Sequence, residues 1–153
     1  MATYYEQLNE IADLYFARFA KAVPAKEIMA WAIQEGLYRP TPNLVLQKAA
    51  EDLARALRED VFTDPQGRHV RAKYAARIVE DGIQTTLWAD HTFASPQHIA
   101  LSLKQRRTQI VADCHKLKTD VDSFNENDNL GPKLQLSFDF TLDLEELDAA
   151  DAA

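Results

Sequence analysis

A single cysteine, four glycines and the lack of any long apolar run set the first limits on this sequence of 153 residues. With Cys114 alone no intramolecular disulfide can form, which fits a reducing compartment. No apolar stretch approaches the ~20 residues of a membrane span. The opening Met1-Ala2-Thr3-Tyr4-Tyr5-Glu6 carries neither the basic nor the apolar region of a signal peptide. A cytoplasmic protein without membrane contact is therefore expected. No glycine-rich phosphate loop is present. His91, His98, Cys114 and His115 show neither Cys-x-x-Cys nor His-x-x-x-His spacing, and Cys114 falls in an apolar stripe, where a thiol is a poor ligand or nucleophile. Asp90-His91 and Asp113 have no nucleophile in a recognisable turn beside them. The reading is a protein with no catalytic residue, no metal and no cofactor: not an enzyme.

What is present suits one ordinary domain, or a compact domain with an extension. Hydrophobic residues make up 46% and charged residues 27%, a globular balance. The net charge of −7 would by itself disfavour nucleic acid. Its distribution matters more than its sum. Residues 1–80 hold eleven Lys/Arg and eleven Asp/Glu, whereas residues 120–153 hold ten acids and one base, Lys133. The negative excess belongs to the C-terminal part.

Thr3 with Glu6 forms a capping-box pattern, and Leu8, Ile11, Ala12, Tyr15 and Phe19 recur at helical spacing to about residue 20. A second helix is expected over 24–35, with Ile28, Trp31 and Ala32 inward and Gly36-Leu37 closing it. Thr41-Pro42 opens a third, with Leu46, Ala49, Ala50, Leu53 and Leu57 as core stripe to about residue 59. The period then falls to two. Residues 61–63 and 68–71 flank Asp64-Pro65-Gln66-Gly67, a type I turn pattern. Residues 76–79 and 83–88 flank Glu80-Asp81-Gly82, a second hairpin signal. Ser95-Pro96 starts a helix reaching about residue 125, roughly 45 Å long. Residues 133–140 alternate as a strand, and 142–153 form an acidic tail, helical or frayed.

Three short helices and a hairpin are the element order of a winged helix-turn-helix, in which the third helix can enter the major groove and the hairpin touches flanking backbone. Pro24 through Ile28, Gly36-Leu37, Thr41-Pro42, Leu53, Phe62 and Gly67-Arg68 together resemble the HARE-type helix-turn-helix family over residues 4–73. That resemblance implies a DNA-binding or polymerase-associated module; one branch of the family is a polymerase subunit with an acidic C-terminal region. The long helix after the wing lies outside the family pattern. The residues themselves offer a matching surface: Asn43, Gln47, Lys48, Arg55 and Arg58 on the third helix, for base edges or phosphates, and Arg68, Arg71 and Lys73 on the wing, with Arg77 and His69 nearby. Glu51 and Asp52 share the third helix, so a solvated charged face on a protein-binding helix-turn-helix is the competing account.

In the long helix Ala100, Leu103, Arg107, Ile110, Cys114, Leu117, Val121 and Phe124 alternate three and four apart, a coiled-coil seam in which Arg107 would fix register. A homodimer presenting two wings is expected, its contacts being Leu103, Arg107, Ile110, Cys114, Leu117, Val121 and Phe124. Packing across the chain's own domain needs a similar stripe, and Ile99 and Val111 widen it. Lys104 and Arg106 give a secondary candidate for nucleic-acid contact. Gln135-Leu136-Ser137-Phe138-Asp139-Phe140 resembles the short peptide by which bacterial proteins dock on the replicative sliding clamp; as a strand, the same residues would bury Leu134, Leu136, Phe138 and Phe140.

The sequence thus reads as α+β: a winged helix-turn-helix domain over 1–92, a long oligomerisation helix over 93–130, and a C-terminal strand with acidic tail over 131–153. The expected function is double-stranded DNA binding in transcription regulation or an accessory role. The alternative is a protein-interaction adaptor, associated with polymerase or the sliding clamp, without direct DNA readout.

Overall fold

The structure, a computed structural model, describes residues 1–152. Among the described residues the chain is a mixed α+β protein of five α-helices and two small antiparallel hairpins. It divides into two units, Met1–Ala56 and Leu57–Ala153, and the boundary falls inside the last turns of the third helix. No helix among the described residues is long and apolar enough to cross a membrane.

In the first unit, α1 (Tyr4–Phe19) begins with the capping box: the Glu6 N–H donates to Thr3 Oγ1 at 3.2 Å and the Thr3 N–H to Glu6 Oε2 at 2.6 Å. Its apolar face supplies Ile11 and Tyr15, which close over Ile28 and Ala32 of α2 (Ala25–Gln34). Trp31 lies edge-on to Tyr15 with ring centroids 5.4 Å apart, a favoured aromatic geometry. Two bonds end α2: Gly36 N–H to Ile33 O at 3.1 Å and Leu37 N–H to Ala32 O at 2.8 Å. This double closure needs a left-handed residue after the helix, and Gly36 has φ 73°. Thr41 then caps α3 (Pro42–Glu59), its hydroxyl accepting from the Leu44 N–H at 3.3 Å.

The stripe expected to seat α3 does not do so. Leu46, Ala49, Ala50 and Leu53 are exposed, Leu57 is half-buried, and α3 has no buried residue. Leu44 and Ala54 are the half-buried positions instead. A period of 3.6 marks an apolar face but does not supply a partner for it.

In the second unit, β1 (Val61–Thr63) pairs with β2 (His69–Arg71), Val61 opposite Arg71. The Gly67 N–H closes the turn on Asp64 O at 2.9 Å, and Gly67 has φ 87°. β3 (Lys73–Glu80) pairs with β4 (Ile83–Asp90). Asp81 and Gly82 join them at φ 50° and 77°, the paired positive angles of the two-residue turn that matches strand twist. This hairpin is longer at both outer ends than the alternation suggested.

Ser95 caps α4 (Pro96–Ser123), which packs along β3. Two side chains fasten it there. His98 Nε2 donates to Tyr74 O at 2.8 Å, and the Gln105 amide both donates to Arg77 O and accepts from the Arg77 N–H, each at 2.8 Å. Seven residues of helix and three of strand each advance about 10 Å, so both fastenings can form at once. Ala72, Ala76 and Ser102 are the buried residues of this unit, small enough for backbones to approach closely.

Beyond α4 a π turn, Phe124–Asp128, closes with the Asn129 N–H on Phe124 O at 2.8 Å. The expected C-terminal strand over 133–140 is absent: those residues form no strand. Alternating side chains do not make a strand without an edge to pair with. The Asn125 side chain brackets Leu134 instead, donating to its O at 2.8 Å and accepting from its N–H at 3.0 Å. Leu134, Leu136 and Phe138 then line a cleft of about 280 Å³ with Val121 of α4. The acidic tail is helical, as α5 (Thr141–Asp151), and exposed throughout.

Ala76 is 1% exposed, so Ala76→Leu would overpack the second unit. It should lose about 1–3 kcal/mol of stability, measured as an earlier chemical-denaturation midpoint, whereas Val79→Leu, at an exposed position of the same strand, should change little.

Candidate nucleic-acid interface

The eight side chains expected to meet DNA are placed in three different ways. Asn43, Gln47 and Arg55 stand exposed on α3. Lys48, Arg68 and Lys73 are held by carboxylates. Lys48 pairs with Asp52 one turn along α3, and Arg68 Nε pairs with Asp64 at 2.8 Å inside the wing turn. Lys73 bridges Asp60 at 2.6 Å and Asp90 at 2.9 Å. Arg58 and Arg71, the remaining two, converge on one cleft.

That cleft has a volume of about 550 Å³ and lies in the second unit. Its hairpin wall follows from strand alternation: Ala75 and Arg77 of β3 share a face, and their register partners Trp88 and Thr86 of β4 share it with them. Its helical wall comes from one side of α4, where Ser102, Gln105, Arg106 and Gln109 recur at spacings of three and four, the neighbours on a helix surface. Arg58 and Arg71 complete the lining. The Arg58 guanidinium lies 5.9 Å from the centroid of the Trp88 ring, within cation–π range.

Four arginines and no carboxylate line this space. Partial burial pushes the Arg71 guanidinium below its ordinary value, and repulsion from Arg106 and Arg58 adds to the shift. The four remain charged, because guanidinium is protonated at any ordinary pH. Like charges gathered without an acid favour an anion, and planar two-pronged donors suit phosphate oxygens. Elsewhere in the unit Arg68, Lys73 and Lys118 are held in ion pairs. Hydrogen bonding from the Arg68 backbone and guanidinium and from the Gln66 N–H lowers the Asp64 carboxyl, and Lys73 and Thr92 lower that of Asp90 well below the usual carboxylate range.

The proposed seam of α4 is largely open. Leu103, Ile110, Leu117 and Phe124 are 47%, 51%, 47% and 42% exposed; Arg107 is exposed, and Cys114 and Val121 are half-buried. Val121 faces the cleft shared with Leu134 and Leu136, and Phe124 opens the π turn, where the register slips by one residue. Ile110 also lines the arginine cleft.

Sequence reasoning placed Arg58, Arg71 and Arg77 on the surface of the third helix and wing and Arg106 on a secondary one along the long helix, and it passed over Trp88. The signal was available. The two-residue turn at Asp81-Gly82 fixes a register that sets Trp88 opposite Ala75 and Thr86 opposite Arg77.

Asp90 supplies a pH test. Its carboxyl titrates lower folded than unfolded, so its contribution is complete above the unfolded value near ~4 and fades as pH falls through the lowered folded value. Asp90→Asn should melt below the parent at neutral pH, with a gap that is constant above about pH 5 and narrows below about pH 4. A gap that stays constant through the acid range would contradict this assignment.

No protein-family model, curated protein or solved structure matches the chain.

Proposed function

We propose that the protein is a DNA-binding regulatory or accessory protein that holds phosphate in the cleft between α4 and the β3–β4 hairpin. The observation that carries this reading is the gathering of Arg58, Arg71, Arg77 and Arg106 around one concave space with no carboxylate in its lining. Cations that neutralise phosphates supply most of the affinity of a DNA-binding surface. In this reading α1–α3 and the β1–β2 hairpin are the helices and wing of a winged helix-turn-helix, and Asn43, Gln47 and Arg55 remain available on α3 for base edges. The ion pairs of Lys48, Arg68 and Lys73 make those three secondary contacts at most.

The same reading includes self-association through α4. Four apolar side chains at heptad spacing are each more than two-fifths exposed, and a contiguous exposed apolar stripe marks an interaction surface. A dimer would present two arginine clefts.

A second reading, the adaptor, is favoured by the segment 135–140. It pairs in no strand, and of Phe138 and Phe140, the two aromatic anchors of such a docking peptide for the sliding clamp, Phe140 is 42% exposed and Phe138 half-buried.

Affinity for a mixed-sequence duplex, measured against salt, separates the two. A DNA binder loses affinity steeply with added salt, and Arg77→Glu with Arg106→Glu should flatten the log–log slope by about 2, near one unit for each phosphate no longer neutralised. Binding that ignores both salt and the double reversal would leave the adaptor reading in its place. For the dimer, sedimentation of Leu117→Asp should give half the parent mass, and an unchanged mass would remove the α4 interface.

A further inference from the structure

We infer that the arginine cleft receives an unpaired nucleotide, its base against Trp88 and its flanking phosphates on the surrounding guanidiniums, so that the preferred ligand is a single-stranded segment of nucleic acid. This rests on the DNA-binding reading above and narrows it to one form of the strand.

The shape of the site carries the first part of the argument. Duplex DNA is read by convex elements, a helix or a ribbon laid into a groove. The arginines here line a concave space of about 550 Å³ instead, the size range of small-ligand sites. A paired base has both faces covered by its neighbours, so neither face can meet an aromatic ring in the lining of a cleft. An unpaired base can.

The lining carries the second part. Trp88 is half-buried and lies opposite Ala75, the smallest side chain that could stand there apart from glycine. Room is therefore left beside an indole ring already approached by the Arg58 guanidinium. Aromatic rings joined to a positive groove are the shared chemistry of single-strand binding sites, where stacking serves every base. The amides nearby are engaged: Gln105 is bonded both ways to the Arg77 backbone, and Gln109 donates to Asp113 Oδ1 at 2.9 Å. With Gln105 turned to the backbone, the cleft recognises a base chiefly by its face and the strand by its charge, with weak dependence on sequence.

The test compares the full chain with Trp88→Phe, Trp88→Ala and Arg106→Glu. Each is titrated against a labelled mixed-sequence single strand and against the duplex of the same sequence, with polyglutamate as competitor. The parent should bind the single strand more tightly than the duplex. Trp88→Ala should weaken single-strand binding about ten-fold while leaving duplex binding unchanged. Trp88→Phe should retain single-strand binding, which separates a lost stacking face from a damaged fold, and Arg106→Glu should weaken both ligands. Equal affinity for the two forms, or equal loss of both in Trp88→Ala, overturns the inference while leaving DNA binding intact. Displacement by polyglutamate as readily as by an oligonucleotide of equal charge also overturns it, by making the cleft an unselective anion site. No binding to either strand removes the DNA-binding reading itself.

Discussion

The bond pair between the Gln105 side chain and the Arg77 backbone is the constraint on which the second unit turns. An amide is one of the few side chains that can donate and accept at once, so Gln105 occupies both backbone groups of one residue on β3. His98 makes a similar attachment to Tyr74 two turns earlier on α4. Together they fix how α4 lies along β3, and the buried Ala72, Ala76 and Ser102 permit the approach. Arg106 follows Gln105 directly in sequence, and Arg77 is the residue being held. The geometry that fastens the helix therefore also sets two of the cleft's four guanidiniums.

Charge in this protein is sorted by local pairing rather than by total. Lys73 lies between Asp60 and Asp90, Arg68 against Asp64, and Lys118 against Asp122. The Lys118–Asp122 pair is exposed and adds little stability, the pairs of Lys73 and Arg68 are partly buried, and all of them occupy their cations. What they leave, within the lining of one cleft, is a group of arginines whose nearest charged neighbours include one another. The ten acids of residues 120–153 dominate the net charge without entering that lining. A net charge of −7 thus coexists with a cleft lined by four arginines and no carboxylate.

Local signals in the sequence were legible where the physics is local. Thr3 with Glu6, Gly36, Thr41, Gly67, Asp81-Gly82 and Ser95-Pro96 each act within a turn or two, and each falls where a helix end or hairpin turn stands. Readings that needed a partner fared differently. The apolar faces of α3 and of residues 133–140 were visible as periods, but burial or pairing depends on a surface elsewhere in the chain, which a period does not contain. The same limit applied to the site. Its arginines were visible, yet their convergence required the register of β3 with β4 and the fastening of α4, both set by contacts distant in sequence. Trp88 was missed for that reason: beside Leu87 it reads as one more strand residue, and only its position opposite Ala75 gives it a cleft to line.

Hydrogen exchange on the complex of the full chain with a mixed-sequence single strand tests the central claim most directly. New protection is expected to be greatest in residues 71–77, 86–88 and 102–109, the backbone around the arginine cleft, and smaller in α3 residues 43–55 and the 64–67 turn. Protection concentrated on α3 and that turn, with the cleft unchanged, would contradict it.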